Sequence, residues 1–269
     1  MSDWPLSGTL AAHGMWRVAI DVRDLDDRPL HALRLLLVAD VLRRAIEELQ
    51  GGQVLLALLD SAAGPVPGRG VQAQALWIRA PSARTSSPTE AAAMLGGPPS
   101  LTLIPADPAP ATAPLPEPGR TLRIASVEFP TRGTPAPSAS DLLSDYDPLG
   151  LRLALLRFPY SSTAILTPAR LHRAEETLHR WQYKVADWAD TRWRFNTPDR
   201  PDAAPVPQDA VNAMHHALAA DLDTGTVLRL LHRIETDLHL AAGRKFATFA
   251  SLDRILALDL SHSVRRRHR

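Results

Sequence analysis

The sequence predicts an α/β layer followed by a helical bundle, and three observations carry the prediction. A strand–helix–strand pattern fills residues 16–59, prolines crowd the middle, and the second half repeats apolar residues at spacings of three and four. Residues 16–22 (WRVAIDV) read as a strand and 23–30 as a polar loop. Residues 31–50 read as a long amphipathic helix with Leu36, Leu37, Val41, Leu42 and Ile46 towards the core, and Gly51-Gly52 is a natural stop. Residues 54–59 (VLLALL) are a continuous apolar run, as in a strand buried on both faces. Two strands joined this way through a helix should be parallel. Weaker strands are expected at 74–78, 101–104 and 121–127, giving a small, mostly parallel sheet. Ligands of such sheets sit beyond the carboxyl ends of the strands, which here means the loops after Val22 and after Leu59.

Fifteen of the 24 prolines lie between Pro65 and Pro137, so the middle third must be rich in loops. Residues 106–118 (ADPAPATAPLPEP) read as an extended connector. Residues 149–158 then form an apolar helix stopped by Pro159. Thr167-Pro168 caps another, whose seam is Leu171, Ala174, Leu178, Trp181, Val185 and Trp188. Val211, Met214 and Leu218 mark a further helix. Thr224 is expected to cap the next, with Val227, Leu231, Ile234 and Leu238 on one face, and Phe246, Phe249, Leu252 and Leu256 mark the last. The division expected is an α/β domain over residues 1–130, with the proline-rich middle inside it, and a helical bundle over 141–269.

Composition excludes several classes of function. The formal net charge of +1 gives no global field towards nucleic acid or membrane. The absence of cysteine removes disulfides, thiolate metal sites and a cysteine nucleophile. No apolar stretch approaches the ~20 residues that a membrane span needs. The first residues lack a basic region followed by an apolar run, so no signal peptide is expected and the cytoplasm is the default location.

Several segments occur in an order known from one family. Asp147-Pro148-Leu149-Gly150-Leu151-Arg152-Leu153-Ala154-Leu155-Leu156 is close to a D-P-x-A-x-R-L-A-L-L pattern, and Asp221-Leu222-Asp223-Thr224 to a D-D/F-N/D-T-P run. Phe246-Ala247-Thr248-Phe249 with 252–258 fits a last-helix pattern. His31-Ala32, Arg34 and Asp40-Val41-Leu42-Arg43-Arg44 fit the helix after an ATP-binding signature. In this the chain resembles cysteinyl-tRNA synthetase and its relative, the cysteine ligase of mycothiol synthesis. The resemblance implies a reduced Rossmann-like sheet followed by a helical bundle, as in class I aminoacyl-tRNA synthetases.

The chain departs from that family at the residues that carry its chemistry. In place of the H-I-G-H signature stands Arg28-Pro29-Leu30-His31, so one histidine remains and Leu30 fills space that a glycine would leave for ATP. In place of the lysine-bearing K-M-S-K-S signature stands 128–135 (EFPTRGTP), where only Arg132 could reach a phosphate. The first zinc-ligand position aligns with Ala19, so no zinc is expected. Charge stabilisation is usually the largest catalytic contribution, and its loss should cost many powers of ten in rate.

The resemblance therefore implies a catalytically degenerate synthetase-like protein that acts by binding. The alternative is an active adenylating ligase with a non-cysteine substrate. The candidate nucleotide contacts are Arg28, His31, Arg34, Asp60 and Arg132, with ATP as the cofactor admitted and no catalytic or metal residue assigned. Each candidate has a plainer reading. His31, Arg28 and Arg34 start a helix and could hold an anion or stand there as an inherited histidine and solvated charges. Asp60 could contact a ribose or a metal, or form a turn. His172, His179, His215 and His216 lack metal-ligand spacing, and Gly64, Gly68 and Gly70 lie between prolines rather than in a dinucleotide fingerprint. The partners expected are a nucleotide or aminoacyl-adenylate-like ligand, tRNA through the tail Arg265, Arg266, Arg267 and Arg269, and a protein on the helical bundle, with no membrane contact.

Overall fold

The computed structural model describes residues 14–61, 69–107, 119–130, 137–194 and 208–261, with the backbone alone for 191–194. Arg132, the arginines at 265–269, Gly64, Gly68, the side chain of Trp193 and most of the 106–118 connector lie outside the described residues.

Strand β1 (Met15–Asp21) leads through α1 (Pro29–Gln50) to β2 (Gln53–Leu59). Then come α2 (Arg69–Ala75), β3 (Ala83–Thr85), α3 (Pro88–Met94), β4 (Leu101–Pro105) and β5 (Arg120–Ile124). These five strands form one parallel sheet in the order β3-β2-β1-β4-β5. Short β6 (Val127–Glu128) precedes α4 (Ala139–Asp145) and α5 (Pro148–Leu156), and pairs in parallel with β7 (Ala164–Ile165). Four helices complete the chain: α6 (Pro168–Arg194), α7 (Gln208–Asp221), α8 (Thr224–Thr236) and α9 (Ala242–Leu256). The parallel sheet and the helices after it match the fold class expected. Among the described residues no helix is long and apolar enough to cross a membrane.

The central element is α1. Fifteen of its 22 residues are buried, a proportion that an ordinary surface helix does not reach. One face packs on Val18, Ile20, Leu56 and Leu58 of the sheet, and the same core continues into α5, α6, α8 and α9. The opposite sheet face is lined by smaller side chains, Ala19 and Ala57, with Leu59, and is covered by Ala91 and Leu95 of α3 and its end. The alternation of large and small residues in β1 and β2 thus assigns the thick layer to one side. Gly51 ends α1 in the left-handed region (φ 63°), where its N–H reaches the Ile46 carbonyl and a side chain would be strained.

Five local expectations are corrected. The strand expected at 74–78 is instead the end of α2 and its cap, where Ile78 N–H donates to the Ala73 carbonyl and Trp77 takes a positive φ of 56°. The strand expected at 121–127 breaks after Ile124, because residues 125 and 126 turn into a second small sheet. The helix expected over 149–158 begins at Pro148, capped by Asp147, and stops at Leu156. The cap of α8 is Asp223, which accepts from Thr226 N–H. Thr224 is buried and donates its hydroxyl to the Leu156 carbonyl. Leu238 lies past the end of α8 and is 93% exposed. Trp181 and Trp188 are core residues, both edge-on to Phe249.

Candidate functional site

The strand order reverses between β1 and β4, so the crevice in which a ligand would lie opens beyond Asp21 and Pro105. The expected loop after Val22 borders it. The loop after Leu59 does not, because β2 lies one strand further from the reversal. Helix α1 begins beside this crevice with Pro29 in its first turn, which forgoes an N–H that the turn cannot use. Arg28 precedes it without a side-chain cap, and Leu30 packs against the core.

His31 is buried at 2% exposure, and its Nε2 lies 3.0 Å from the Ile124 carbonyl at the end of β5. A carbonyl only accepts, so Nε2 carries the proton, and Nδ1 is left as a buried acceptor with no partner among the described residues. Burial pushes the imidazole below its ordinary value. The Ile124 carbonyl and Asp107 pull it back up, and Arg34 and Arg28 push it further down. His31 therefore faces the crevice region as a neutral imidazole at neutral pH.

Arg34 is taken up by the protein's own backbone. It is 1% exposed, and its guanidinium donates to four backbone carbonyls: Ala125 at 2.8 Å, Ser126 at 2.7 Å, Pro159 at 2.7 Å and Ser162 at 2.7 Å. Burial lowers it to about 10. It clamps the turn after β5 against the turn before β7, and it has no fork left for a phosphate.

Asp60 is likewise internal. Its carboxylate takes Arg69 at 2.5 Å and Arg84 at 3.6 Å and accepts from Ser61 N–H at 3.1 Å. Its ion pair with Arg69 ties it to the start of α2, and among the described residues its Oδ2 accepts no hydrogen bond. Arg28 alone of the described candidates reaches solvent, with Asp27 4.0 Å away. Its surroundings are acidic. Asp26 and Asp27 are exposed beside it, and Asp21 is bound by Arg23. Among the described residues the start of α1 thus carries mixed charge rather than the concentrated positive charge that a triphosphate needs. Among the described residues no group of histidine and carboxylate side chains could hold a metal ion.

Sequence reasoning also missed a basic cavity in the helical part, whose arginines come from three separate helices and helix ends. The spacing of Arg229 and Arg233, one turn apart on α8, was the signal available for it. Neither a protein-family model nor a curated protein sequence matches this chain.

Proposed function

We propose that this protein is a catalytically degenerate relative of cysteinyl-tRNA synthetase and of the mycothiol cysteine ligase, acting by binding and not by adenylation. The observation that carries the reading is the position of Arg34, one of the candidate phosphate contacts, whose hydrogen bonds all go to backbone carbonyls. Leu30 at the glycine position and the acidic residues around Arg28 support it from the other side of the same helix start. Without phosphate neutralisation the crevice can hold a small neutral or weakly charged group, but it cannot steady a pentavalent phosphorus. The test is amino-acid-dependent ATP–pyrophosphate exchange with the purified chain, for which no signal above background is expected. Exchange with any amino acid overturns the reading.

One observation favours the alternative of an adenylating ligase with a non-cysteine substrate. The Nδ1 of His31 is buried without a partner among the described residues, and a ligand donor would satisfy it. A non-hydrolysable aminoacyl-adenylate analogue that raises the melting temperature of the wild type but not of His31→Ala would put this reading first.

A further inference from the structure

A concave site lies away from the sheet, where the end of α5 meets α6 and α8. The cavity holds about 620 Å³, within the range of small-molecule sites. Arg157 projects from the end of α5, Arg180 and Thr177 from α6, and Arg229 and Arg233 from α8, with Leu228 and the edge of Trp181 between them. Its walls are mostly carbon, because arginine stems, Leu228 and the indole supply them.

The charge is unbalanced. Among the described residues Glu235 is the one carboxylate ion-paired to the lining, and it is already shared by Arg180 at 2.8 Å, Lys184 at 2.9 Å and His232 at 3.1 Å. Among the described residues no carboxylate forms an ion pair with Arg157, Arg229 or Arg233. Arg157 donates only to Thr177 Oγ1 at 3.0 Å, and Arg229 to Thr226 Oγ1 at 2.6 Å. The Arg157 side chain reaches solvent, yet partial burial lowers its pKa, and the positive charges of Arg180 and Arg173 lower it further. Among the described residues these three arginines line one concavity without a directly paired carboxylate, Asp223 reaching Arg229 only through the Thr226 hydroxyl, and an anion of two or more charges would neutralise them. The end of α8 adds little, since Asp223 already caps it. The positive field belongs to the side chains.

We propose that this cavity binds a phosphorylated small molecule, with the phosphate held by Arg157, Arg229 and Arg233 and the organic part lying on Leu228 and the arginine stems. A single carboxylate would neutralise one cation of three, whereas a phosphate dianion accepts several forked donors at once. The site is independent of the crevice beside α1, so its ligand need not be a substrate of any reaction there.

The test uses the full chain, with inorganic pyrophosphate and AMP as probes and adenosine and mixed tRNA as comparators, read by thermal shift and calorimetry at fixed ionic strength. Pyrophosphate and AMP should bind saturably while adenosine does not. Arg157→Gln and Arg229→Gln should each weaken binding by about tenfold, the effect of losing one charged fork. Both side chains are exposed, so the melting temperature without ligand should stay close to that of the wild type. Binding that survives both substitutions, or that His31→Ala abolishes, places the ligand elsewhere and overturns the proposal. So does absence of saturable binding by either phosphate probe, and so does a response to tRNA alone, which would mark a macromolecular contact.

Discussion

Nη2 of Arg152 lies 2.7 Å from Oδ2 of Asp40, and both side chains are almost wholly shut off from solvent. The two residues lie 112 positions apart, one on α1 and the other on α5. Around this pair, Arg152 also donates to the Leu256 and Leu76 carbonyls, and Asp40 accepts from Arg44 at 2.9 Å and from Arg79 N–H at 3.1 Å. The sheet layer, α5 and the end of α9 thus meet on one carboxylate. Those residue types serve the fold here, and a function for them need not be sought.

Replacing Asp40 by Ala leaves a fully buried guanidinium without its ion-pair partner. Loss of one partner of such a pair costs about 3–5 kcal/mol. Urea denaturation should show a loss of that order, or a chain that no longer folds. A loss below about 1 kcal/mol would mean that the network contributes little.

Arg34→Met separates structure from phosphate binding. Four carbonyls lose a charged donor, and the cost should be about 2–4 kcal/mol, since hydrogen bonds to charged groups are worth about 1.5–3 kcal/mol each and do not add fully. Calorimetric unfolding measures it. An Arg34 that served a nucleotide instead would leave the melting temperature unchanged and remove any response to ATP.

His31 and His215 are both held below their ordinary value by burial, and in the unfolded chain both protonate near pH 6.5. Between their folded values and about 6.5 the unfolded chain binds more protons. Stability should therefore be complete above about pH 6.5 and decline as the pH falls below it. The slope of unfolding free energy against pH should flatten in His31→Gln. An unchanged slope would remove His31 from the account.

Glu235 titrates in a different window. Burial would raise its carboxyl, but Arg180, Lys184, Trp181 and His232 together lower it from 4.5 to about 2. The stability that it supplies is full above about pH 4.5 and is lost as the pH falls towards 2. Glu235→Gln should flatten that acid limb and cost about 1.5–3 kcal/mol at neutral pH. It should also leave Trp181 Nε1, now 2.8 Å from the carboxylate, with a weaker acceptor, visible as a shift in tryptophan emission.

The regular parts of the fold were legible where one period persisted. Residues 16–59 gave strand, helix and strand in parallel, and the seam from Leu171 to Trp188 gave α6. Short elements were not. The three residues of β3 sit at the sheet edge with one apolar side chain, and α3 announced itself only through Ser87, whose hydroxyl accepts from Glu90 N–H. That Ser-Pro-x-Glu signal was on the page but lay among prolines. The apolar run at 76–78 read as a strand because a helix cap with a positive-φ tryptophan has no hydrophobic period. The roles of Arg34 and Asp60 were not legible for another reason. Charge at a helix start or strand end looks the same whether it meets a ligand or the protein's own groups. For Arg34 those groups are carbonyls 91 to 128 positions away.

That distance has a consequence for synthesis. A ribosome that has released only the first strand, helix and strand exposes a long apolar helix carrying a guanidinium and a carboxylate whose partners have not yet been made. Arg34 waits for Pro159 and Ser162, and Asp40 for Arg152, whose own carbonyl acceptor at Leu256 comes last of all. The amino-terminal layer should therefore close only when the carboxyl-terminal helices arrive, and nascent chains halted short of residue 256 should be held by chaperones rather than fold in pieces.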